Sequence, residues 1–138
     1  MDYVWDSSLE TGNELIDSQH KALFIAVNNL LEICRKGKGK EEVSKSLDFL
    51  TQYTIKHFFD EEQLQQKYKY PDFPIHKKYH DDFKVTVRDL SHELIMKGAT
   101  DRLIEELKNK IGGWLVTHIK GQDAKVAAHI RNQIAAQK

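Results

Sequence analysis

The sequence predicts an all-α protein: an antiparallel up-down-up-down four-helix bundle with an N-terminal arm and a short C-terminal helix. Three observations carry this expectation. Apolar positions recur in alternating steps of three and four residues through four long segments, the period of one helix face. The segments are joined by short stretches carrying glycine or proline, so consecutive helices run antiparallel. Only two prolines, Pro71 and Pro74, interrupt the 138 residues.

Residues 1–16 show no clean period, and Val4, Trp5, Leu9, Leu15 and Ile16 read as an arm packed over one end of the fold. Asp17 is a plausible N-cap for a first helix over about 18–36, whose stripe is His20, Leu23, Val27, Leu30 or Leu31, and Cys34. Gly37 and Gly39 close it. A second helix over about 41–68 carries Val43, Leu47, Leu50, Thr54, His57, Glu61, Leu64 and Tyr68 on one face. A third, over about 74–97, starts with Pro74 in its first turn and carries His76, His80, Phe83, Val87, Leu90 and Leu94. Thr100 or Asp101 caps a fourth helix to about 120, with Ile104, Leu107, Ile111, Trp114 or Leu115, and His118 inward. Gly121 is expected to interrupt it, and a short helix with Val126, Ile130 and Ile134 follows over about 124–136. The whole, 1–138, reads as one domain, with the bundle over about 17–121.

The length suits one sizeable core. Hydrophobic residues make up 40% and charged residues 30%, and the formal net charge is 0 with dispersed Lys and Arg. That argues against nucleic acid or an anionic membrane as the main partner. No apolar run approaches the ~20 residues of a membrane span. The acidic start MDYVWDSSLE is not a secretory signal. A single cysteine, Cys34, allows no internal disulfide, which suits a cytoplasmic home.

Chemistry concentrates where apolar residues are due. His57 and Glu61, and His76 and His80, are pairs four apart, stacked on one helix face. In an antiparallel hairpin, residues equidistant from the turn lie level. The midpoint of 20 and 57 falls in the Gly37–Gly39 turn, and that of 80 and 118 in the Gly98–Thr100 turn. Glu61 and His80 straddle the Pro71 turn at comparable distances. All four helices thus bring a polar group to one layer. Asp123, five residues after His118, would sit about 140° away on a continuous helix. A left-handed turn at Gly121 would swing it back; otherwise it merely N-caps the last helix.

Five inward histidines and Glu61 would be costly to bury unpaired. A metal removes the cost by holding the imidazoles neutral and the carboxylate ionised. Imidazole with carboxylate suits iron, manganese or zinc. Seven ligands are too many for one ion. With two ions, Glu61 and Asp123 each bridging and one bridging oxide or hydroxide, all but one position of two octahedra is filled. The open position fits one small molecule bound end-on. His92 and His129 lie off the layer and read as surface or edge residues.

These residues fall in the segments I-D-x-Q-H ending at His20, H-F-x-x-E-E from His57, Y-P at Pro71, H-x-x-x-H from His76, and W-L-x-x-H-I around His118, followed by Asp123. With the Trp5 arm, they make the chain resemble the hemerythrins over nearly its whole length, in particular the bacterial single-domain hemerythrins. The resemblance implies a non-haem diiron site, two iron ions with a bridging oxide or hydroxide, that binds dioxygen reversibly. It implies His76, His80 and His118 on one iron, His20 and His57 on the other, and Glu61 and Asp123 between them. It also implies an apolar dioxygen pocket at Leu23, Phe58, Trp114, Leu115 and Ile119, positions that serve equally as plain core.

One departure stands out: the bacterial family usually has methionine where this chain has Gln65. The amide has three options: to bond Glu61, to admit water, or to face solvent. Either of the first two predicts faster autoxidation than in a Gln65→Met variant. A diiron oxidase, peroxidase or nitric oxide reductase is the alternative function, and a sensing domain with a protein partner is a third. The Glu-x-x-His motif of ferritin-like oxidases occurs nowhere in the chain, and no acid, base or nucleophile besides the ligands is evident. The residues therefore favour binding over turnover, in line with the oxygen storage, delivery or sensing that the resemblance implies.

Overall fold

The structure, a computed structural model, describes residues 2–137. Met1, at the start of the expected arm, and Lys138 lie outside the described residues. Four long helices follow one another: Glu14–Arg35, Lys40–Lys67, Phe73–Lys97, and a fourth running without a break over 101–136. Among the described residues there is no strand. The first and second helices pack along their length, as do the second and third, and the fourth closes the bundle against the first and third.

The ends of the helices have local causes. Asn13, not Asp17, caps the first helix, its Oδ1 accepting the Ile16 N–H at 3.0 Å. Asp17 reaches back to the arm, accepting from the Thr11 N–H and hydroxyl and from the Gly12 N–H. Thr100 caps the fourth helix through the Leu103 N–H. Gly37 and Gly98 take the positive φ that ends the first and third helices. Pro74 occupies the first turn of the third helix, where its missing N–H costs nothing.

The fourth helix departs from expectation at Gly121. It is α-helical over Asp101–Leu107, π-helical over Lys108–Gly113, α-helical over Trp114–His118, π-helical over Ile119–Asp123, and α-helical again over Ala124–Ala136. The last helix exists, but as a continuation of the fourth. Gly121 has no positive φ and makes no turn. Instead the Ala124 N–H donates to the Ile119 carbonyl five residues back. One extra residue is thereby taken into the turn.

The core runs through the bundle as Leu23, Val27, Leu30, Leu47, Leu50, Phe83, Val87, Leu107, Ile111 and their neighbours. Beyond the polar layer, Ile16, Tyr70, Val126 and Ile130 close the other end. The second helix shifts its inward face there: Gln65 is fully buried, while Leu64 and Tyr68 are half-buried against that cluster. The arm lies along the first and fourth helices. Tyr3 exchanges backbone hydrogen bonds with the Asn28 side-chain amide. The Tyr3 hydroxyl donates to the Lys108 carbonyl, in the first π segment.

Candidate metal centre

Seven side chains meet in one layer: His20, His57, Glu61, His76, His80, His118 and Asp123. Each is at most 5% exposed. They form two groups of mutually close donor atoms, Glu61, His76, His80, His118 and Asp123 in one, and His20, His57, Glu61 and Asp123 in the other. The two carboxylates belong to both. Glu61 turns Oε1 to His76 Nε2 at 2.8 Å and Oε2 to His57 Nε2 at 3.3 Å. Asp123 turns Oδ1 to His76 and His118, each at 3.0 Å, and Oδ2 to His20 Nε2 at 2.8 Å.

Asp123 reaches this layer through the π turn. In an α-helix, residues four apart share a face; a turn closed by a bond five residues long carries one more, so positions 118 and 123 share it instead. The helix thus presents both ligands on one face.

The ring nitrogens turned away from the layer fix which nitrogen faces in. Asp60 accepts a hydrogen bond from Gln19 Nε2 at 2.8 Å, so the Gln19 oxygen faces His57 and accepts from its Nδ1–H at 2.8 Å. Glu62 accepts from His80 Nδ1–H at 2.8 Å. Both rings are left with an Nε2 lone pair aimed into the cluster, the form a metal requires. Neither Gln19 nor Glu62 was singled out as a site residue in the sequence. Their neighbours His20 and Glu61 were, and an inward histidine's need for an outer partner was the available signal.

The cluster does not satisfy itself. His118 Nε2 lies 3.1 Å from His76 Nε2 and 3.3 Å from His80 Nε2. A neutral imidazole has one N–H, and three facing Nε2 atoms cannot all be paired with one another. Both nitrogens of His20, Oε2 of Glu61 and Oδ1 of Asp123 lack a directed hydrogen bond, though charged partners stand close. Convergent lone pairs and orphaned carboxylate oxygens fit a cation at each group.

Burial pushes His80 down to about 3, so it is neutral. Burial also opposes the charge on His76, but bonds to Asp123 and Glu61 outweigh it and raise that ring to about 9. Burial opposes the charge on both carboxylates, and Asp123 repels that of Glu61. Contacts to the histidines prevail, holding Glu61 below its ordinary value and Asp123 well below.

Aromatic rings wall the three-histidine group. Phe58 stacks on His80 at 3.8 Å between centroids, and Trp114 on His118 at 4.3 Å and on Phe83 at 4.0 Å. Trp5 of the arm lies 6.3 Å from His20. Of the expected pocket positions, Leu23, Phe58, Leu115 and Ile119 are buried, and Trp114 is half-buried. His92 is exposed, and His129 Nε2 lies 2.6 Å from the Tyr68 carbonyl oxygen at the edge of the fold.

A family model described as the hemerythrin HHE cation binding domain matches residues 11–130. The chain belongs to the hemerythrin family. It is 32% identical over 132 residues to a bacteriohemerythrin of Pseudomonas paraeruginosa, covering 96% of this chain and 84% of the relative. It is 36% identical over 123 residues to the myohemerythrin of Sipunculus nudus, covering 89% of each. The crystal structure of a wild-type hemerythrin superposes with a TM-score of 0.80 at 30% identity, over 93% of this chain and 97% of that one. Among the described residues of this hemerythrin, no helix is long and apolar enough to cross a membrane.

Proposed function

We propose that this chain, acting as one domain, binds dioxygen reversibly at a non-haem diiron site, for storage, delivery or sensing. The observation that carries the reading is the divided carboxylates: Glu61 and Asp123 each turn one oxygen to the three-histidine group and the other to the two-histidine group. His76, His80 and His118 would hold one iron, His20 and His57 the other. Glu61 and Asp123 would bridge them beside an oxide or hydroxide. When bound, the ferrous pair supplies the two electrons that dioxygen takes up and returns.

The chain's own part is to hold and to shield. Gln19 and Glu62 orient His57 and His80. The two-histidine group has fewer protein donors, so an iron held there would keep room for a small ligand. Leu23 stands one turn beyond His20, and Ile119 one turn before Asp123. With Phe58, Trp114 and Leu115 they would form an apolar pocket that keeps water and protons from bound dioxygen. The buried free thiol of Cys34 suits a reducing cytoplasm. The matched relatives are named bacteriohemerythrin and myohemerythrin, and membership of that oxygen-binding family supports binding over turnover.

The test is an anaerobic-to-aerobic absorbance titration of iron-loaded protein. One dioxygen taken up per two irons, and released under argon, supports the carrier. Continuous oxygen consumption with a reductant supports the oxidase, and one iron per chain defeats both.

A further inference from the structure

We infer that Gln65 is a positioning residue for Glu61: its amide N–H occupies the Glu61 oxygen on the three-histidine side and leaves the oxygen facing His57 the stronger donor. This rests on the diiron reading above. Gln65 is 0% exposed, and its Nε2 donates to Glu61 Oε1 at 3.2 Å. That oxygen also stands 2.8 Å from His76 Nε2 and 3.6 Å from His80 Nε2. Glu61 Oε2, which faces His57, receives no such amide.

A residue placed here for stability alone would be apolar. Gln65 is flanked by Leu64 and Tyr68, which pack on the apolar cluster of Ile16, Tyr70, Val126 and Ile130. Its own Oε1 is buried without a partner, a cost that an aliphatic side chain would avoid. The retained feature is the N–H. A hydrogen bond to a carboxylate stabilises its ionised form and lowers its basicity, so the oxygen that accepts one gives less charge to a metal. The ion among His76, His80 and His118 is therefore held less tightly, and its reduced state is favoured. From the sequence, an amide that bonds Glu61 and one that admits water both point to faster autoxidation; the weaker charge donation argued here gives the opposite sign for the bond to Glu61, so the Gln65→Met protein is the one that oxidises faster.

The test is a stepwise anaerobic titration of metal-free protein with Co2+, read by calorimetry and by the cobalt absorption bands. Wild type is compared with Gln65→Met and Gln65→Leu. The reduction potential of the iron-loaded proteins and the melting of the metal-free proteins are measured alongside. In both variants the three-histidine step should tighten about tenfold, the scale of one hydrogen bond to a charged group released for the metal, and the other should stay within roughly threefold. The iron potential should fall, with no loss of metal-free melting temperature. If wild type binds two Co2+ and both variants match it in affinity and potential, Gln65 merely packs, and the inference is overturned. If wild type binds no Co2+, the diiron reading fails, and this inference with it.

Discussion

His118 and Asp123 stand five positions apart, yet Nε2 of one lies 3.0 Å from Oδ1 of the other. The π turn between them is what makes this spacing productive. The first prediction concerns its length. Removing Gly121 restores a four-residue spacing in a plain α-helix and should keep Asp123 over His118. Inserting an alanine between Gln122 and Asp123 should rotate the carboxylate by about 100° out of the layer. Metal analysis after Co2+ loading should give two ions per chain for the deletion. The insertion should bind one or none, at unchanged helix content.

Much of this was legible in the sequence because it depends on period alone. The 3-4 spacing put His57, Glu61, His76 and His80 on inward faces, and the glycine turns set them level with His20 and His118. Asp123 was not legible in the same way. A π turn has no signature residue; it is one surplus position in an otherwise regular helix, and Gly121 offered the more obvious but wrong explanation. Gln65 was ambiguous because the stripe through Leu64 and Tyr68 fits the period equally well. Packing against Tyr70 and Val126 decided between the two faces. The outer partners Gln19 and Glu62 are polar residues on ordinary helical surface until the neighbouring histidines are seen to turn inward.

The second prediction is a pH dependence. Folding raises His76 from 6.5 to about 9: burial opposes the charge, and the bonds to Asp123 and Glu61 outweigh burial. A group raised on folding stabilises fully below its unfolded value and stops doing so as pH climbs through the folded one. Metal-free protein should therefore lose urea resistance between about pH 7 and pH 10. Loading at pH 7 should release about one proton per chain from His76. Both effects should vanish in His76→Leu. A flat urea midpoint across that range in wild type would contradict the assignment.

The third prediction separates the two outer partners. Gln19→Leu frees His57 Nδ1, and Glu62→Leu frees His80 Nδ1. Each ring then loses the bond that selects its inward lone pair. Loss of such a partner weakens metal binding about 10–100-fold. Gln19→Leu should weaken the second, two-histidine Co2+ step, and Glu62→Leu the first. Equal weakening of both steps by either substitution would mean that the two groups do not bind as separate sites.

The arm supplies the last prediction. Gly112 lies in the first π segment, and a Cβ there would come within 2.2 Å of the Tyr3 ring. Tyr3 is held on both sides, by the Asn28 amide and by the Lys108 carbonyl, so it cannot yield without releasing the arm. Trp5 would leave His20 with it. Gly112→Ala should cost about 1–3 kcal/mol by overpacking. It should also make the bonds around residues 3–10 sensitive to protease. Gly121→Ala is the control: a Cβ there meets nothing within 4 Å. Replacing glycine inside a helix should raise stability by up to ~1 kcal/mol. If Gly112→Ala melts like wild type and its arm stays resistant, the arm is not seated on the fourth helix through Tyr3.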